Sequence, residues 1–228
     1  MTIRQRLYVL SALVLIPALL CAAWGLYFLY TEKLVKEAEN VRQVAQVLTT
    51  LIERELALRE ATLHALSVSP ALARGDLGAF HELARAVALS DKAIISLSNT
   101  AGRELLVSTR SYQAKSARPD VVSGFREEMA ADATVFSNLY FVPGQNVYRF
   151  GVQVPVMRGG KVIYYLTMEN GAEVVQHWLA AGKLPTGWNA AVLDRNGYIM
   201  ASTLRPDKTL GAPAGDAFFP KEGATSRS

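Results

Sequence analysis

Residues 134–169 read TVFSNLYFVPGQNVYRFGVQVPVMRGGKVIYYLTME, and the fold depends on how that stretch divides. Three strands are predicted: Thr134 to Val142, Val147 to Met157 and Lys161 to Glu169. Pro143-Gly144-Gln145-Asn146 and Arg158-Gly159-Gly160 connect them, glycine-containing turns too short for anything but antiparallel neighbours. The stretch is therefore an antiparallel meander. Along its middle strand, alternation sets Tyr148, Phe150, Val152 and Val154 on one face and Arg149, Gly151 and Gln153 on the other.

Upstream, Ala93 to Ser98 and Arg103 to Thr109 are two more strand candidates around the turn-forming run Asn99-Thr100-Ala101-Gly102, for a total of five strands. Helices are expected at Leu77 to Leu89, Pro119 to Ala131 and Gly171 to Gly182, the last closed by Gly182 and Pro185. Thr31 to Ser67 contains neither Gly nor Pro and predicts a long helix, stopped by Ser69-Pro70. Leu34, Ala38, Val41, Ala45, Leu48 and Ile52 form one apolar stripe, which breaks at Arg59 and resumes at Leu63 and Leu66. Such a stripe serves either as a homodimer seam or as the face packed on the following domain.

At the other end of that helix, Leu7 to Tyr30 (LYVLSALVLIPALLCAAWGLYFLY) carries no charge. As a helix it measures roughly 36 Å, enough to cross a bilayer. Arg4 and Arg6 precede it, mixed charges follow it, and Trp24, Tyr27 and Tyr30 sit at its far end, so the N-terminus is expected in the cytoplasm. The run is too long for a cleaved signal, and Leu19 and Leu20 before Cys21 do not suit a lipoprotein site. Half of the 228 residues are apolar and 19% are charged, too apolar for an average soluble chain. The net charge of +4 comes without a basic run, which argues against nucleic acid as a partner. The single cysteine excludes an intrachain disulfide and a multi-cysteine metal site.

One internal similarity stands out. Leu97 to Thr109 and Leu193 to Thr203 share a plan in which an apolar strand passes through an Asx-and-Gly turn into a strand ending Ser-Thr, at an offset of about 95 residues. A second copy of the lobe is expected to begin here.

The order of elements, together with Val152-Gln153-Val154-Pro155-Val156, resembles the double Cache sensor region of bacterial transmembrane receptors. The stretch from Leu184 to Gly197 (LPTGWNAAVLDRNG), followed by Ala201-Ser202-Thr203 and Gly211, resembles the start of the membrane-proximal lobe in sensor histidine kinases of that kind. The resemblance implies an α+β protein: a transmembrane helix running into a long helix, a PAS-like lobe with a five-stranded antiparallel sheet, and the start of a similar second lobe. The expected divisions are a cytoplasmic N-terminus (1–6), transmembrane helix (7–30), periplasmic helix (31–67), membrane-distal lobe (68–170), linking helix (171–186), incomplete second lobe (187–209) and disordered tail (210–228). Receptors of this kind continue into a second membrane helix and a cytoplasmic output module, so the sequence ending at Ser228 reads as a truncated product. The family's amino-acid-binding branch uses a Tyr, Arg-x-x-Trp, Tyr, Asp arrangement, and no tryptophan lies between Asp91 and Asn170. Amino acids are therefore not the expected ligands.

No enzyme motif is present. His81-Glu82-Leu83-Ala84-Arg85 has arginine where a zinc protease helix needs its second histidine, and reads as a solvated helix face. Gly159-Gly160-Lys161 lacks the earlier glycine of a P-loop. No cofactor is implied. The expected function is an inner-membrane, extracytoplasmic sensing module that binds a small, anionic solute and dimerises through the long helix. In the resembled fold the free face of the distal sheet holds the ligand, which nominates Arg149 with its planar fork, Gln153 on the same face, Tyr140, Tyr164 and Tyr165 as hydroxyl donors and walls, and Arg110 and Ser111 at the neighbouring edge. The alternatives are a membrane-tethered structural or interaction protein of the envelope, and the sensor part of a chemoreceptor or diguanylate cyclase.

Overall fold

Gly159 and Gly160, at φ 57° and 75°, close a two-residue turn whose backbone twist matches that of the strands it joins. The strands are the longest in the protein: β5 (Val147–Arg158) and β6 (Lys161–Gly171), paired antiparallel from Arg158 opposite Lys161 to Arg149 opposite Gly171. The computed structural model describes Trp24, 39–112 and 132–215. Two compact units divide the chain, Met1–Val47 and Leu48–Ser228. In the first, Trp24 and residues 39–47 are helical and mostly exposed. Among the described residues no helix is long and apolar enough to cross a membrane; the 7–30 run, apart from Trp24, lies outside them, as do the 31–38 part of the long helix and the helix expected at Pro119–Ala131.

The second unit opens with helical residues 48–67 (α1). Ser69 Oγ accepts from Leu72 N and Pro70 occupies the first turn, so the Ser-Pro pair ends one helix and starts the next, α2 (Pro70–Arg74). Asp76 caps α3 (Leu77–Ser90) by accepting from Ala79 N. Strands β1 (Ile94–Asn99), β2 (Glu104–Val107), β3 (Val135–Phe136) and β4 (Tyr140–Val142) complete a six-stranded sheet of order β2-β1-β6-β5-β3, with β4 also paired to β5. The single strand expected from Thr134 to Val142 is thus two. Ser137 still donates its N–H to Gly151 O while its Oγ accepts from Gly151 N, and Leu139 N donates to the Asp194 carboxylate.

The helices cover one face of this sheet. Leu63, Leu66, Leu72, Phe80, Ala84 and Ala88 pack on Ile95, Leu97, Leu106, Val152, Val154, Val156, Leu166 and Met168. Leu63 and Leu66 therefore belong to the lobe's own core, and Leu48 is buried as well. Arg59, where the stripe broke, turns inward too. Its Nε donates to Asn170 Oδ1 (3.2 Å), Nη1 pairs with Glu55 (3.3 Å), and the guanidinium lies 4.4 Å from the Trp178 ring centroid. His81 is also inside, not on a solvated face: it is 1% exposed, and its Nε2 lies 2.7 Å from Arg110 O and 3.3 Å from Val107 O, so the imidazole holds the chain leaving β2.

Beyond β6, α4 (Ala172–Ala181) leads to a two-stranded sheet, β7 (Ala191–Leu193) and β8 (Ile199–Ser202), followed by the short α5 (Pro206–Thr209). The β7–β8 hairpin repeats the β1–β2 hairpin bond for bond at an offset of 95 (194 − 99). Asn99 Oδ1 accepts from Ala101 N and Arg103 N, and Asp194 Oδ1 from Asn196 N and Tyr198 N. Gly102 and Gly197 sit at φ 78° and 79°. Ile95 N donates to Ser108 Oγ at 3.0 Å, and Ala190 N to Thr203 Oγ1 at 2.9 Å. Both hairpins shift register at the equivalent step, Leu97/Ser98 and Val192/Leu193. The composition after Leu210 suggests disorder, yet the first residues are held: Gly211 N donates to Ile199 O, Ile199 N to Ala212 O, and Ala214 N to Gly197 O. This segment covers the edge of β8. Residues 216–228 lie outside the described part.

Candidate functional site

With alternate residues of β1, β5 and β6 committed to the helices, the other half forms the opposite face, and there the sheet is polar. Ser96 pairs with Thr167, and Thr167 with Gln153, making one row across three adjacent strands. Its neighbours are the rows Ile94–Glu169–Gly151 and Ser98–Tyr165–Pro155. These side chains are not solvated: Gln153 is 3% exposed, Thr167 5%, Tyr165 5%, Ser96 7% and Glu169 8%. Among the described residues no hydrogen bond reaches the side chains of Ser96, Thr167 or Gln153. Glu169 is the only charged side chain in the three rows. The arrangement offers two hydroxyls, an amide and a phenol to a small polar guest.

The nominated residues divide. Gln153 and Tyr165 stand on this buried polar face. Arg149 has the same parity as Gln153 but lies roughly 13 Å along the strand. Its Nη2 donates to Gln145 Oε1 at 2.8 Å beside the β4–β5 turn, opposite Tyr140. These two therefore mark the end of the strand, away from the polar row. Tyr164 is directed to the other face and packs against the core, because β6 inverts with each residue and Leu166 and Met168 fix which half is inside. Arg110 pairs with Glu104 at 3.7 Å, and Ser111 is exposed beyond it.

Ser96, Thr167 and Glu169 were missed, although the signal was present: Ile95-Ser96-Leu97-Ser98 and Tyr165-Leu166-Thr167-Met168-Glu169 alternate polar with apolar residues, as the middle strand does. The Arg59–Asn170–Trp178 contact had no such signal, since Arg59 lies more than a hundred residues before the other two. It places a fully buried Asn170 immediately after Glu169. One residue faces the polar row, and the next holds α1.

No protein-family model matches the chain, and no curated protein sequence does. Solved structures do match in shape. The ligand-binding domain of the Pseudomonas fluorescens chemoreceptor CtaA, in complex with L-serine, superposes with a TM-score of 0.60 at 14% identity, over 76% of this chain and 74% of that one. The same domain with L-valine gives 0.61 at 14% identity, over 77% and 78%. The ligand-binding domain of the Pseudomonas aeruginosa amino acid chemoreceptor PctC, in complex with GABA, gives 0.56 at 16% identity, over 77% and 78%. The chain therefore has the fold of these sensor domains, as the Cache resemblance implied.

Proposed function

We propose that this chain is a non-catalytic sensing module, anchored by residues 7–30 with its N-terminus in the cytoplasm, that binds a small polar solute outside the inner membrane. The observation that carries this reading is the buried Ser96–Thr167–Gln153 row, whose three side chains have no hydrogen-bond partner among the described residues on a face of a sensor-type sheet. A ligand seated there acts by binding unequally to two arrangements of the lobe. The Glu169–Asn170 step supplies the coupling, because a shift of β6 on the ligand side is felt by Arg59 on α1. Residues 187–209 are the beginning of a second lobe, and the output is a kinase, a chemotaxis module or a cyclase. Dimerisation uses a stripe other than Leu48, Leu63 and Leu66, namely Leu51, Leu58, Ala61, Ala65 and Val68, of which all but the half-buried Leu51 are exposed.

Amino acids bound by the similar structures and the absence of tryptophan from this lobe point to different ligands, so the screen includes both classes. Thermal unfolding of the full chain is measured with L-serine, L-valine, GABA, polyols and dicarboxylates. One solute is expected to raise the melting temperature saturably, and the Ser96→Ala, Thr167→Val, Gln153→Leu triple variant to lose that rise while folding as the parent does. A rise that survives in the triple variant moves the site elsewhere. No rise with any solute favours an envelope structural role.

A further inference from the structure

A cavity lies away from the polar row. Its volume is about 290 Å³, and its walls come from the start of β5, the first turns of α4, β8 and α5. Tyr148, which lines it, has the parity of Phe150 and Val152, so it stands on the face of β5 opposite Gln153. Much of the lining is apolar, with Val147, Ala172, Met200, Pro206 and Leu210 beside Tyr148 in it. Tyr148 is held on two sides: the Phe141 ring lies 5.1 Å from it, centroid to centroid, and the Gly211 backbone approaches so closely that a Cβ there would meet the ring.

The polar lining is one-signed. Glu173 from α4, whose carboxylate lies against Gly171, and Asp207 from α5 belong to the lining, and among the described residues no Lys, Arg or His joins them. Arg205 and Lys208 flank Asp207 in sequence without reaching the lining. Among the described residues, neither Glu173 nor Asp207 takes part in an ion pair. Gln176 spends its Oε1 on Ser202 N at 3.0 Å, which fixes that side chain as a wall between α4 and β8.

We infer that this cavity is a second binding site, for a small organic cation with a compact apolar body. The apolar walls select the body. The Tyr148 ring and the two carboxylates, brought together from separate helices, select the positive charge and disfavour an anion. This inference is independent of the sensing proposal, since the polar row lies on the other face of the sheet.

Three probes of one shape and different charge test it: cyclohexylammonium, cyclohexanol and cyclohexanecarboxylate, titrated into the full chain by calorimetry. The ammonium is expected to bind at least about tenfold more tightly than the alcohol, and the carboxylate not to bind. The Glu173→Gln, Asp207→Asn double variant is expected to bind ammonium and alcohol alike, and Asp207→Lys to abolish ammonium binding. Glu173 and Asp207 are both exposed, so neither variant disturbs the core. The Ser96, Thr167, Gln153 triple variant is expected to bind the ammonium as the parent does, which separates this site from the other. Equal binding of all three probes, no binding of the ammonium, or undiminished ammonium binding in the double variant overturns the proposal.

Discussion

The β1–β2 and β7–β8 hairpins have the same turn and different fates. Each uses an Asx side chain to accept two backbone N–H groups, a glycine at φ near 78° and a Ser or Thr hydroxyl that caps the opposite strand. Yet β1 lies between β2 and β6 with Ile95 and Leu97 completely buried, whereas among the described residues β7 pairs with β8 alone and leaves Val192, the counterpart of Leu97, only half-buried. The comparison separates what a dozen residues can specify from what a sheet must supply. Turn chemistry is closed within the hairpin, while burial depends on β6 arriving from seventy residues away.

The sharpest way to break the comparison is at its buried end. Leu97→Ala is expected to cost about 2–5 kcal/mol in urea unfolding, and its equivalent Val192→Ala only about 1 kcal/mol. Similar losses would mean that the second hairpin is as deeply packed as the first. Next comes the residue that makes the turns unequal. Asp194 uses its second oxygen to accept from Leu139 N at 3.1 Å, a bond that Asn99 does not make. Asp194→Asn should therefore lose about 1.5–3 kcal/mol of charge-assisted bonding, and the reverse change, Asn99→Asp, should stay within about 0.5 kcal/mol.

The glycines give a smaller effect and a stricter test of equivalence. Gly102→Ala and Gly197→Ala should each cost about 1–2 kcal/mol, since both force a Cβ into the left-handed region. A difference well above the fitting error would show that the sheet, not the turn, sets the strain. Smallest are Ser108→Ala and Thr203→Val, each expected to lose about 1 kcal/mol as Ile95 N and Ala190 N lose an acceptor. Hydrogen exchange at those two amides should accelerate in step with the loss.

The same division accounts for what could be read in advance. The Gly159-Gly160 turn, the paired strands β5 and β6, the N-terminal cap at Asp76 and the repeated Asx turn are all decided by neighbours within a few residues, and their sequences announce them. Gln153 and Tyr165 were legible for the same reason, because alternation alone places them opposite the apolar half of their strands. Tyr164 lies on the helix-covered face, with Leu166 and Met168, because side chains alternate along β6. His81 and Arg59 look like surface charges on helices; their burial depends on a strand exit and a tryptophan that only the assembled lobe brings to them.

By itself, then, the sequence determined an uncharged span near the N-terminus, the helical and extended segments and the bonding inside each turn, since these follow from local sterics and from donors and acceptors a few bonds apart. Only the tertiary structure decided which face of the sheet the helices cover, that Ser96, Thr167 and Gln153 meet in one buried row, and that Arg149 is spent at a turn. Those outcomes are set by register between distant strands and by the choice of which apolar half leaves water, and neither is written in any one segment.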